Sequence, residues 1–297
     1  MDAPAHVLPA SMPPPVNAFD RALRIARLIH PFPTLLNVAA TAGLACIAVR
    51  GVPEAAVLTR MALVMLFAQS AIGAANDVVD RYLDAITKPW KAVASGLVPA
   101  SVALALAVAL AVAALALATT LGARSLALVV LGLACGLAYD VRLKRTPLSA
   151  LPYMAAIPTL PAWVWVTLDR WQPQLWWLLP LGALIGISLH LANTLPDLDD
   201  DRAAGIDGLP HRIGLVRSLA LTWGAFAGAL ALSVALAPVL SYDWRWYAPA
   251  LALGCAALGG SGVAFAHERD ARALQLGWGV LSLASAALAA GWLGAVT

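Results

Sequence analysis

The stretch Ala74-Ala75-Asn76-Asp77-Val78-Val79-Asp80-Arg81-Tyr82-Leu83-Asp84 closes a long apolar run with three carboxylates, and Lys88 and Lys91 follow within seven residues. An apolar run of about twenty residues is long enough to cross a bilayer, so the cluster stands where a span ends. Carboxylates at a membrane rim are expensive to keep there and mark ion or substrate sites. If the stretch is helical, Asn76, Asp80 and Asp84 fall at i, i+4 and i+8, with Asp77 one step round from Asp80, which makes one oxygen-rich face. Like charges at that spacing repel, so something positive belongs among them. The residue types suit a hard cation: no His or Cys stands beside them for zinc, and Mg²⁺ is typically held by one or two carboxylates plus substrate phosphates. A solvated loop of alternating acids and bases is the plainer alternative.

Composition sets the context for that cluster. The 297 residues are 61% hydrophobic and only 12% charged, with a mean hydropathy of +0.81; an ordinary globular domain is roughly a quarter charged. The chain is therefore expected to be an all-α polytopic membrane protein. A net charge of +3 with scattered basic residues implies no nucleic-acid partner. Cys46, Cys135 and Cys255 lie far apart inside apolar runs and read as packing residues. Residues 1–18, rich in Pro and Ala and lacking a signal-peptide pattern, are expected to be a disordered tail. The rest, 19–297, reads as one membrane domain with motif loops at 76–98 and 193–214.

Spans are expected at roughly 31–49, 57–76, 99–119, 123–140, 148–168, 174–195, 215–237, 246–265 and 272–294, nine in all. The third and fourth are divided only by Gly122-Ala123-Arg124. With the N-terminus cytoplasmic, the inside segments hold fourteen of the nineteen Lys and Arg residues and the outside segments Arg50, Arg60, Arg124, Arg170 and Arg245. Positive charge collects on the cytoplasmic side, so this orientation is favoured, and an integral protein of a prokaryotic inner membrane is expected. Trp163, Trp165, Trp171, Trp176, Trp177, Trp244 and Trp246 gather near the external connections, as an interfacial aromatic belt would.

A second cluster follows the sixth span: His190-Leu191-Ala192-Asn193-Thr194-Leu195-Pro196-Asp197-Leu198-Asp199-Asp200-Asp201-Arg202. Asn193, Asp197 and Asp201 repeat the i, i+4, i+8 face four spans after its first copy. Two four-helix units plus one extra helix, around a central cavity, would produce that recurrence. Between the copies the loop Tyr139-Asp140-Val141-Arg142-Leu143-Lys144-Arg145 sets a tyrosine beside a compact cationic group. Its basic residues satisfy the charge rule of topology and can also countercharge a phosphorylated substrate.

Two acidic faces, cations beside them and an apolar bundle beneath describe a site for a ligand with a polyanionic head and a long apolar tail. An isoprenyl diphosphate fits that description. Bound Mg²⁺ and cationic side chains would stabilise the leaving diphosphate, and a dry bundle would protect the allylic cation. At this point Asn76-Asp77-x-x-Asp80-x-x-x-Asp84 resembles the first signature of the UbiA superfamily of intramembrane prenyltransferases, and Asp197-x-x-x-Asp201 resembles its second. The resemblance implies nine helices around a cavity, Mg²⁺ dependence, and transfer of a prenyl group to an acceptor that is usually aromatic. It places Asn76, Asp77, Asp80, Asp84, Asp197 and Asp201 at the metal–diphosphate site and Lys88, Lys91, Tyr139, Lys144 and Arg145 around it. One departure is visible: relatives often carry Arg-Pro where this chain reads Lys91-Ala92, and a lysine lacks arginine's two-pronged grip.

Asn37, Asn193 and Arg212 are further substrate-binding candidates, although a lone span Asn such as Asn37 also serves to hydrogen-bond between helices. His190 reads as a packing histidine. No obligate protein partner is implied. Alternatives on the same scaffold are a terpene cyclase or a phosphoribosyl-type transferase. A secondary transporter with carboxylate ion sites is a third, but transporters place those sites near the midplane and these clusters sit at the rim.

Overall fold

The computed structural model describes residues 17–203, 205–267 and 270–297, and within these the side chains of Asp200, Ala203 and residues 262–267 lie outside the description. The expected tail falls almost wholly outside it. The described chain is all helical: α1 (Ala18–Ala26), α2 (Pro31–Ala48), α3 (Ala55–Val79), α4 (Arg81–Thr87), α5 (Ala100–Thr119), α6 (Ala123–Val141), α7 (Leu151–Thr167), α8 (Leu178–Thr194), α9 (Leu198–Ala203), α10 (Leu209–Leu240), α11 (Trp244–His267) and α12 (Ala271–Val296). Among the described residues seven helical segments are long and apolar enough to cross a membrane. They are α2, α3, α5, α6, α8 with its flanking turns, α10 and α12, and each overlaps an expected span.

The exterior of the bundle is apolar, with Leu35, Leu104, Leu253, Leu276 and Leu283 each at least half exposed. A protein whose outer wall is this apolar is solvated by lipid. Packing between helices relies instead on small residues, since lipid gives no hydrophobic drive to association. Along α5, Ala103, Ala107, Ala114 and Ala118 are buried where the helix lies on α3, while Val102, Leu106, Val108 and Val112 face outward. The α7–α8 pair touches more tightly still. A Cβ on Gly186 would come within 2.6 Å of the Tyr153 carbonyl oxygen and 2.8 Å of Met154 Cα, both backbone atoms that cannot give way. Gly186→Ala is therefore expected to push α7 from α8 and cost about 1–3 kcal/mol, read as a lower thermal midpoint in detergent; an unchanged midpoint would count against this packing.

Two breaks put residues where the site needs them. α10 is interrupted at Gly214, whose φ of 77° and ψ of 167° belong to a region that only glycine adopts comfortably. The long apolar part of α10 thus begins at Leu215, as the hydrophobic pattern implied. α3 ends at Val79, and Asp80 caps it before the chain resumes in α4. Ahead of the bundle, α1 sets exposed Phe19 and Leu23 on one arc and Arg21 and Arg24 on the other, the form of an interfacial helix.

The aromatic belt needs correction. Trp163 and Trp165 are 2% and 0% exposed, and the Trp163 indole N–H donates to Ser125 Oγ at 2.7 Å. Their position near the end of α7 made them look interfacial, but that helix is enclosed by α6 and α8. Trp176 and Trp244 remain exposed, as a belt requires.

Candidate active site

The oxygen-rich face of the first cluster survives the break in the helix. Backbone N–H groups of Asp80, Asp84 and Lys88 donate to the carbonyls of Asn76, Asp80 and Asp84 at 2.8–2.9 Å, so four-residue spacing persists through α4. Asn76 Nδ2 accordingly reaches Asp80 Oδ2 at 3.0 Å, and it also donates to Asp140 Oδ1 at 2.8 Å. The second cluster behaves differently. Leu195–Asp197 tighten into a 3-10 turn between α8 and α9, and this interrupts the single α-helical face anticipated for Asn193, Asp197 and Asp201.

Cations fill the gaps between the carboxylates. Lys144, on a 3-10 turn after α6, approaches Asp80 Oδ2 at 2.5 Å, and Arg145 lies 3.4 Å from Asp80 Oδ1. Lys91 bridges Asp77 and Asp84 at 2.8 Å to each. A single ammonium between two carboxylates needs no two-pronged grip, so the lysine that departs from the family pattern is well matched to this corner. Burial pushes the Asp84 carboxyl above its ordinary range against the pull of Lys91. Burial alone would weaken the Lys91 ammonium, but Asp77 and Asp84 outweigh it and its pKa rises. Sequence reading assigned no role to His30, yet its Nε2 lies 3.0 Å from Asp77 Oδ1.

The two clusters meet. Lys88 from the first is 3.6 Å from Asp197 of the second. Asp201 is pushed up to about 6, first by burial and then by the Asp197 carboxylate, while Lys88, Lys144 and Asp80 also act on it. Asp77, Asp80, Asp84, Asp140, Asp197 and Asp201 are six carboxylates, and Lys88, Lys91, Lys144 and Arg145 are four cations. Two negative charges are left unmatched before any diphosphate enters. Among the described residues no three acidic or imidazole groups converge tightly enough to hold a metal in this arrangement. The donor set still fits Mg²⁺, being hard oxygen throughout with charge to spare.

Other candidates stand apart. Asn37 donates back to the Pro33 carbonyl at 3.0 Å, one turn earlier in α2, so its amide serves the helix that carries it. Arg212 pairs with exposed Asp207 at 2.7 Å, and Asn193 donates to the Tyr153 hydroxyl at 3.4 Å. Asp199 is 95% exposed at its side chain and leans on Arg202, which turns it away from the cluster.

Behind Lys144 and Asp201 a cavity opens toward Tyr139, whose ring meets Tyr153 at 5.3 Å and His190 at 5.8 Å between centroids. Tyr153, His190, Ser149, His211 and Asp140 were missed as site residues. The one available signal was position: His190 stands three residues before Asn193, and Asp140 beside Tyr139.

A profile described as the UbiA prenyltransferase family matches residues 36–281. Digeranylgeranylglyceryl phosphate synthase of Methanoregula boonei is 29% identical over 204 residues, covering 66% of this chain and 70% of the relative. 4-Hydroxybenzoate octaprenyltransferase of Vibrio cholerae is 28% identical over 186 residues, covering 62% and 66%. Among solved structures, a UbiA homologue from Archaeoglobus fulgidus bound to GPP and Mg²⁺ superposes with a TM-score of 0.70 over 90% of this chain and 99% of that one, at 16% identity. That last likeness is one of fold.

Proposed function

Since the chain belongs to the UbiA prenyltransferase family, we propose that it transfers a prenyl group from an isoprenyl diphosphate to a lipophilic or aromatic acceptor within the membrane, releasing pyrophosphate in a Mg²⁺-dependent reaction. The observation that carries this reading is the Lys88–Asp197 contact, which joins two acidic motifs more than a hundred residues apart into one charged mouth over an apolar bundle. Asn76, Asp77, Asp80, Asp84, Asp197 and Asp201 would hold the metal, which when bound supplies Lewis-acid stabilisation of the leaving diphosphate. Lys88, Lys91, Lys144 and Arg145 bind the diphosphate oxygens and disperse their charge. The faces of Tyr139 and Tyr153 attract the allylic cation electrostatically, and the bundle below excludes the water that would quench it.

Topologically, we count α7 and α11 as spans with the seven above, making nine helices in two four-helix units plus α12. α7 has 17 residues and is carried by its length of apolar sequence between the site and the external turn. From the charge asymmetry we infer that the N-terminus and both acidic motifs face the cytoplasm, and we propose a prokaryotic inner membrane as the site of the protein.

The test is pyrophosphate release from geranyl diphosphate by the reconstituted protein supplied with a phenolic acceptor such as 4-hydroxybenzoate, which takes the prenyl group as the diphosphate leaves. Release should vanish on chelation and return with Mg²⁺; release that persists under exhaustive chelation sinks the proposal. A pH dependence should accompany it. Below about pH 6 Asp201 holds a proton that Mg²⁺ must displace, so apparent Mg²⁺ affinity should rise up to that pH and level off above it. Affinity that is flat from pH 5 to 8 would remove Asp201 from the metal site.

A further inference from the structure

The helix ahead of the bundle has no packing to hold it. None of the nine residues of α1 is buried, and what starts it is its own cap, Asn17 Oδ1 accepting the Asp20 backbone N–H at 2.8 Å. Isolated helices shorter than about 12–15 residues are marginal in water. α1 therefore needs a surface outside the described residues to lie on.

Its residue pattern names that surface. Phe19, Ala22, Leu23 and Ala26 follow at i, i+3, i+4 and i+7 and form one apolar arc, and all four are exposed. Arg21, Arg24 and Arg27 recur every third residue on the other side, against a single acid, Asp20. Among the described residues no carboxylate pairs with these arginines. Just beyond them Phe32, Leu35 and Leu36 of α2 are exposed as well, so α1 leaves the bundle where the first span meets lipid. A zwitterionic surface would cover the arc but leave the arginines unmatched; an anionic one answers both.

The same segment leads to the charged mouth. Leu28 is 2% exposed and packs with Ala74 and Ala75 of α3. His30 then turns the chain into α2 in the left-handed region, at φ 48° and ψ 67°, a conformation that a residue other than glycine keeps only where its surroundings fix it. Here the ring lies on Gly73, where a Cβ would come within 3.1 Å of it, and Nε2 reaches Asp77 Oδ1 at 3.0 Å.

We propose that α1 docks on anionic phospholipid of the leaflet bordering the charged mouth, with its apolar arc at the acyl boundary and Arg21, Arg24 and Arg27 on headgroup phosphates, and that this docking steadies Asp77 through Leu28 and His30. The second part rests on the prenyl-transfer reading, which puts Asp77 in the site. Lipid composition thereby adjusts turnover from outside the path of either substrate.

The test uses the full chain in nanodiscs of phosphatidylcholine with and without phosphatidylglycerol. A spin label at Leu23→Cys, with Cys46, Cys135 and Cys255 replaced by serine, should be immersed in the presence of phosphatidylglycerol and reached by aqueous nickel without it. Each single Arg→Gln change at 21, 24 or 27 keeps good helix propensity and should cut the ratio of immersed to free label about fivefold. The triple variant should make that ratio independent of phosphatidylglycerol. Mg²⁺-dependent pyrophosphate release from geranyl diphosphate and 4-hydroxybenzoate should be severalfold faster in the anionic discs, and the triple variant should lose this gain while matching the wild type in phosphatidylcholine. A label that stays free in anionic discs, or immersion that survives the triple substitution, overturns the docking. Equal turnover in both discs with the label immersed overturns the link to Asp77. No pyrophosphate release in either disc would sink prenyl transfer instead, and the label would still report the docking.

Discussion

Asp80→Asn is expected to lower Mg²⁺-dependent pyrophosphate release on the order of 10²–10³-fold and to weaken the fold as well. Asp80 accepts from Asn76, Lys144 and Arg145, and the side chains of Asp80 and Lys144 are only 11% and 8% exposed. Removing one charge of a buried pair leaves the other uncompensated, at about 3–5 kcal/mol. Asp197→Asn separates the two effects. Its side chain is 52% exposed and its partner Lys88 is 3.6 Å away, an ion pair of a kind worth at most about 1 kcal/mol. This variant should lose comparable activity while its thermal midpoint in detergent moves little. If Asp197→Asn turns over like the wild type, the second motif has no place in the site. If Asp80→Asn melts like the wild type, the Lys144 ion pair does not matter to the fold.

The second large effect is expected at Lys91. Its ammonium is 2.8 Å from both Asp77 and Asp84, and those carboxylates are 3% and 6% exposed at their side chains. Lys91→Ala leaves two buried carboxylates with less counter-charge, so the protein should unfold at a lower temperature and lose activity. The sign with pH follows from Asp84, which burial already raises. A carboxyl raised in the folded state contributes stability that is fully present below its unfolded pKa and is lost as pH rises through its folded pKa. Without Lys91 the rise should be larger, so the variant should recover more stability on acidification than the wild type does. Mg²⁺ should restore part of the loss at neutral pH by supplying the missing charge. Lys91→Arg, which keeps the charge, should melt near the wild type. A Lys91→Ala protein as stable as the wild type in chelator would show that the bridge is not needed.

How much of this was legible in the chain depends on the range of the interaction concerned. Hydropathy is local, so the spans fell close to the observed helices, and the break at Gly214 agreed with a seventh span starting at 215. Four-residue spacing is local too, and the Asn76–Asp80 contact followed from it directly. The second cluster departed from that expectation because Leu195–Asp197 form a 3-10 turn with Pro196 at its second position, and a spacing argument assumes one unbroken helix. Trp163 and Trp165 were misplaced because a tryptophan near a helix end looks alike whether that end faces lipid or another helix.

The sequence by itself determined that this is an all-helical membrane chain with two acidic motifs, each following an apolar run and with basic residues close by. Composition, span length and residue spacing carry that information because each is a property of short stretches. Only the tertiary structure decided which cation meets which carboxylate: Lys144 on Asp80, Lys91 between Asp77 and Asp84, Lys88 on Asp197. It also brought His30 to Asp77 and set Ser149 against His190. Such pairings join residues from seven to more than a hundred positions apart, and their strength depends on burial and distance, which arise only when the helices have packed.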